Sequence, residues 1–145
     1  MARKIEVVDY NPEWEKQFKE EAKKIKAILG KNCVEIHHIG STSVKGLKAK
    51  PVIDIMPVVK DISLVDGQNA QFEALGYECM GEFGIPGRRF YRKGGDNRTH
   101  HIHIFQKDNT AQIQQHLAVR DYLRRKKKKA EEYAKLKTKL AEEFT

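Results

Sequence analysis

Long apolar runs are missing from this chain: no stretch approaches the roughly 18 apolar residues that a membrane-spanning helix needs, so no membrane partner is expected. Cysteine is scarce. Cys33 and Cys79 stand far apart with no Cys-x-x-Cys spacing, which excludes a disulfide scaffold. Each lies in an apolar stretch and reads as a small core residue. The first ten residues hold no apolar segment and carry Glu6 and Asp9, so the sequence predicts no secretory leader and a cytoplasmic setting. Internal repeats and linkers are absent too. With 39% hydrophobic and 33% charged residues, neither a collagen nor a largely disordered chain fits. The 145 residues suit one domain spanning 1–145, since a chain of this size buries roughly two-thirds of its unfolded surface.

Basic charge is present in excess but unevenly. The formal charge is +8. Residues 120–139 hold ten basic side chains, from Arg120 to Lys139, against three acidic ones (Asp121, Glu131 and Glu132). The remainder is nearly neutral, so the overall charge argues weakly for nucleic acid as partner. The run Arg124–Lys129 could meet RNA phosphates, with Tyr122 or Tyr133 stacking on a base. No RNA-module signature accompanies it, and a solvated joint between two helices explains it more simply.

The hydrophobic pattern predicts an α+β fold. Lys4–Val8 reads as an extended lead-in. Asn11-Pro12 starts a helix whose apolar stripe is Trp14, Phe18, Ala22, Ile25 and Leu29, and Gly30 stops it. Val34–Ile39 reads as a strand, Gly40–Lys50 as a loop, and Pro51–Val59 as a buried strand starting after Pro51. Ser63 caps a helix over 64–75. Tyr77–Glu82, Arg88–Arg92 and Arg98–Phe105 read as further strands. Helices over about 110–125 and 129–144 follow, the second with Tyr133, Leu136, Leu140 and Phe144 on one face. Strands in the middle and helices at both ends predict a mixed or antiparallel sheet.

Chemistry concentrates in His38-Ile-Gly-Ser-Thr-Ser-Val-Lys-Gly-Leu-Lys-Ala-Lys-Pro-Val-Ile-Asp54. Small residues after a strand let backbone N–H groups approach a phosphate, and a helix start beyond adds dipole attraction. The hydroxyls of Ser41, Thr42 and Ser43 can donate to phosphate oxygens, and Lys45, Lys48 or Lys50 can neutralise charge. Asp54 stands among Val, Ile and Met, where an unpaired carboxylate costs several kcal/mol. It is either a metal ligand or paired to Arg88 or Lys50.

The run resembles the GrpB family, placed in the nucleotidyltransferase superfamily of polymerase-β type. The shared pattern is Ile39-Gly40-Ser41, a twelve-residue spacer, then Asp54. Tyr10-Asn-Pro-Glu-Trp14, Gly76-Tyr77, Gly84-Ile-Pro-Gly-Arg88, His100-His-Ile-His103 and Arg120-Asp-Tyr-Leu-Arg124 extend the likeness along the chain. It implies a nucleotidyltransferase-like sheet flanked by helices, and a Lys-Pro match at Lys50. It also implies metal-dependent nucleotidyl or phosphoryl transfer from a nucleoside triphosphate to a small-molecule acceptor. One departure stands out. The superfamily pattern places a second carboxylate two residues after the first, on the same strand face, and here that residue is Met56. A thioether is a poor Mg²⁺ ligand, which leaves a catalytically degenerate nucleotide-binding module as the alternative.

His101 and His103 share one face of a predicted strand. With Asp54 they would form a two-His, one-carboxylate set, better suited to Mn²⁺, Fe²⁺ or Zn²⁺ than to Mg²⁺. One of them could instead be a general base, or both could be sheet histidines bonded to carboxylates. His38 is a further candidate. Of Arg88 and Arg89, adjacent on a strand, only one can face the pocket, and Glu82 on the preceding strand is a candidate partner. A chain this short leaves no room for a second substrate-binding domain, so transferase activity would need a partner or a homo-oligomer.

Overall fold

The structure, a computed structural model, describes residues 6–143. The side chains at 133, 134, 137, 138 and 140–143 lie outside that description. Of the apolar face expected at the C-terminus, Tyr133, Leu140 and Phe144 therefore fall outside it, and Leu136 is exposed. Lys4 and Ile5 of the lead-in are outside it as well. Its described end contributes one bridge, Val8 to Ala49.

Helix α1 (Glu13–Leu29) starts where Asn11 Oδ1 accepts the Glu13 N–H at 2.9 Å. It ends at Gly30, where φ is +59°. Strand β1 (Cys33–Ile39) leads into a single 3-10 turn at Ser41–Ser43. Strand β2 (Ile53–Val59) follows, then short helices α2 (Ser63–Asp66) and α3 (Asn69–Ala74). The single helix expected over 64–75 is thus broken at Gly67-Gln68. Ser63 is not its cap: Asp61 Oδ1 accepts from the Ser63 N–H and hydroxyl. Strands β3 (Tyr77–Cys79), β4 (Arg89–Lys93) and β5 (His100–Gln106) complete the sheet. The last two expected helices are one, α4 (Thr110–Glu143). No proline or glycine interrupts Arg124–Lys129, so the lysine run continues the helix rather than jointing it.

The sheet order is β1-β2-β5-β4-β3. Only β2 and β5 run parallel; the other pairs are antiparallel. The sheet is therefore mixed. Pro57 lies within central β2, and the β2–β5 register passes over Met56 and Pro57, as a residue without an N–H requires.

Side chains alternate across the sheet, and each face has its own core. Ile53, Ile55, Val59, Tyr91, Ile102 and Ile104 pack with Trp14, Ile25 and Leu29 of α1 and Phe72 of α3. On this face Glu21 is 4% exposed, with Lys93 Nζ at 2.8 Å and His100 Nε2 at 3.3 Å from its Oε2. On the other face Ile39, Met56, Val58 and Phe105 pack with Ile113 of α4. Asp54, His101 and His103 share that second face by strand parity, at the beginning of the two parallel strands.

Candidate functional site

The parallel register sets Asp54 beside His101, and His103 follows two residues on. His103 Nε2 lies 3.1 Å and His101 Nδ1 3.4 Å from the same atom, Asp54 Oδ1. One carboxylate oxygen and two imidazole nitrogens stand within 4.8 Å of one another. Leaving water raises the Asp54 pKa, but hydrogen bonds from the two histidines outweigh it and hold the carboxyl at about 2. Among the described residues Asp54 pairs with neither Arg88 nor Lys50, the two cations that the sequence offers it. Its partners are the histidines.

Arg88 is 7% exposed and lies over the Phe90 ring. Its Nη2 donates to Phe83 O at 2.8 Å and its Nε to Glu82 O at 3.2 Å. Its Nη1 stands 3.4 Å from His103 Nδ1. Because guanidinium only donates, that ring nitrogen accepts, and His103 carries its proton on Nε2, directed at Asp54. Arg89 points to the opposite face and bonds Asp66. Glu82 is not on a strand and pairs with neither arginine through its carboxylate; Oε2 accepts the Gly87 N–H.

The 3-10 turn divides its hydroxyls differently from the sequence expectation. Thr42 is buried and donates to Val52 O, so the contact from His38 Nε2 to its oxygen has the imidazole as donor. His38 stacks on Phe18, on the α1 side of the sheet, and loss of water lowers its pKa to about 4. Ser43 donates to Gly40 O. Of the three hydroxyls only that of exposed Ser41 remains for a ligand. A three-residue turn also supplies no helix dipole of consequence. Gly40 takes φ +72° and sits against the Asp54 carboxylate.

A cleft of about 800 Å³ joins these parts: Ser41, Lys48, Lys50, Asp54, Arg98 and His101 are in its lining. Lys45 and Ser43 face a different groove. Sequence reasoning missed two residues. Arg98 reads there only as a strand start, yet its Nε is buried with no hydrogen-bond partner among the described residues. His116 stands 5.5 Å, centroid to centroid, from His103. Its position beside Leu117 and one turn from Ile113 on an amphipathic stripe was the available signal for an inward-facing residue.

The ligand set fits Mn²⁺, Fe²⁺ or Zn²⁺ by donor type. A cation on His103 Nε2 would move the ring proton to Nδ1, so Arg88 Nη1 would have to give up its contact there.

The fold is nucleotidyltransferase-like. It matches that of Cid1 in complex with the UTP analog UMPNPP, with a TM-score of 0.52 and 13% identity, over 81% of this chain and 37% of that one. The chain belongs to the GrpB protein family, whose pattern it matches over residues 4–145. The crystal structure of conserved protein GrpB from Enterococcus faecalis superposes with a TM-score of 0.83 and 52% identity, over 94% of this chain and 83% of that one. UPF0157 protein YqkA of Bacillus subtilis is 46% identical over 139 residues. The match takes in 96% of this chain but 40% of YqkA's length. Among the described residues no helix is long and apolar enough to cross a membrane.

Proposed function

We propose that this protein transfers a nucleotidyl group from a nucleoside triphosphate to a small hydroxyl-bearing acceptor, with a divalent cation at Asp54, His101 and His103. The convergence of those three side chains on one point beside the Gly40–Ser41 turn carries this reading. A cation there would supply positive charge to the phosphates and the leaving group. The chain's own residues bind and orient. Ser41 and the turn backbone meet phosphate oxygens, while Lys48, Lys50 and Arg98 balance their charge. The acceptor oxygen bonds to the α-phosphorus, the bond to pyrophosphate breaks, and the hydroxyl proton passes to water in the open cleft. Such transfer relies mostly on positioning and charge.

Met56, fully buried in an apolar cluster, favours a second reading: a module that binds nucleotide without turnover. Incubation with each NTP, Mn²⁺ or Mg²⁺ and a metabolite pool separates the two. Transfer predicts pyrophosphate release that Asp54→Ala abolishes. Nucleotide binding in calorimetry with no pyrophosphate supports the module, and absence of both removes both readings.

A further inference from the structure

A second groove of about 930 Å³ lies on the other side of the Ser41–Ser43 turn. Its lining includes Lys19 of α1, Lys45 of the loop, and Arg124, Lys127 and Lys128 of α4. It contains two carboxylates, Glu15 and Glu131. Each is already matched, Glu15 to Lys19 and Glu131 to Lys127. Lys45 and Lys128 form no salt bridge among the described residues, and Arg124 reaches only the margin of Asp121, at 4.0 Å. Like charges drawn together without counter-charge cost energy that an anion relieves.

The helix is held in place rather than left in solvent. Arg120 Nη1 donates to His38 O at 3.4 Å and Arg124 Nη2 to Ser43 O at 3.1 Å. Gly46 admits the Lys127 stem, which would stand 3.3 Å from a Cβ there. One face of the basic run thus walls a cleft, with Arg124 and Lys128 themselves open to solvent, while Lys126 and Lys129, equally exposed, do not line it.

We infer that this groove binds a compact polyphosphate group of a small ligand, at a site separate from the Asp54 cleft. The two carboxylates in the lining disfavour a long strand of phosphates. A short one fits among Lys45, Arg124 and Lys128. Thr42 lines both clefts, so the two share one turn. The inference does not rest on the transfer reading, because it needs neither a cation at Asp54 nor turnover.

Calorimetry with sodium tripolyphosphate in EDTA tests it. Wild type should bind one equivalent. The double variant Lys45→Ser/Lys128→Ser should bind at least tenfold more weakly, with an unchanged circular dichroism spectrum. Lys126→Ser/Lys129→Ser should stay within twofold of wild type. Three results would overturn the inference: no binding by wild type, equal loss from both lysine pairs, or no loss from Lys45→Ser/Lys128→Ser. Tighter binding of a single-stranded oligonucleotide than of tripolyphosphate, weakened equally by both lysine pairs, would replace the compact ligand with an extended nucleic acid.

Discussion

Gly40 and Asp54 are in contact such that a Cβ on Gly40 would lie 2.6 Å from Asp54 Oδ2. The invading atom would displace the carboxylate itself, the centre of the candidate site. Gly40 also has φ +72° and ψ −177°, a region nearly confined to glycine.

Gly40→Ala should therefore do two things. Backbone strain of this kind costs about 1–3 kcal/mol, and the clash adds to it. Gly30→Ala is the control, since Gly30 has φ +59° and nothing within 4 Å of its Cβ position. Urea unfolding should show both variants destabilised and Gly40→Ala more so. Only Gly40→Ala should weaken cation binding. Equal destabilisation with unaltered binding would mean that the Gly40–Asp54 contact does not position the carboxylate.

Arg88 closes the loop between β3 and β4 by bonding two carbonyls, of Glu82 and Phe83. Arg88→Ala should cost about 1 kcal/mol for each of the two hydrogen bonds lost, since Glu82 and Phe83 are exposed and water can replace the donor. Arg88→Lys should recover little, because one ammonium cannot reproduce the guanidinium fork. Full recovery of stability by lysine in thermal unfolding would assign Arg88 a role of charge alone.

Acid should destabilise the fold through several groups whose pKa folding lowers: His38 and Asp54, and also His100, His116 and Glu21. The His38 pKa falls from 6.5 to about 4 in the folded state, so the unfolded chain binds the proton more readily. Stability is then complete above about pH 6.5 and is lost toward pH 4. Asp54 falls from 3.8 to about 2, and its contribution is lost as pH drops through that lower window. His38→Gln should make the stability profile shallower between pH 6.5 and 4, with a residual slope from His100 and His116, whose pKa values loss of water also lowers, and leave the loss below pH 4. A slope unchanged in that upper window would place the titration elsewhere.

Much of this is legible in the sequence, for identifiable reasons. The α1 stripe and the strands around Asp54 follow from periodicity. Two-residue spacing puts His101 and His103 on one face, and the choice of one arginine for the pocket follows from Arg88 and Arg89 being adjacent. Strand pairing is not legible. Only the parallel β2–β5 register shows that Asp54 faces His101, and nothing local reveals a parallel partner 47 positions on. The hydroxyls of Thr42 and Ser43 look available in the sequence because their backbone acceptors, Val52 O and Gly40 O, depend on how the loop closes. The lysine run reads as a joint when its charge is counted without its helical phase. Within α4 that phase turns Arg124, Lys127 and Lys128 to a groove and leaves Lys126 and Lys129 in water.

Titration of Mn²⁺ and Zn²⁺ into metal-stripped protein tests the central claim, that Asp54, His101 and His103 hold a divalent cation. Wild type should take up one equivalent. Asp54→Asn, His101→Ala and His103→Ala should each weaken binding by about tenfold or more, on the order of what loss of even a supporting group costs a metal site. No uptake by wild type, or the same affinity in all three variants, would contradict it.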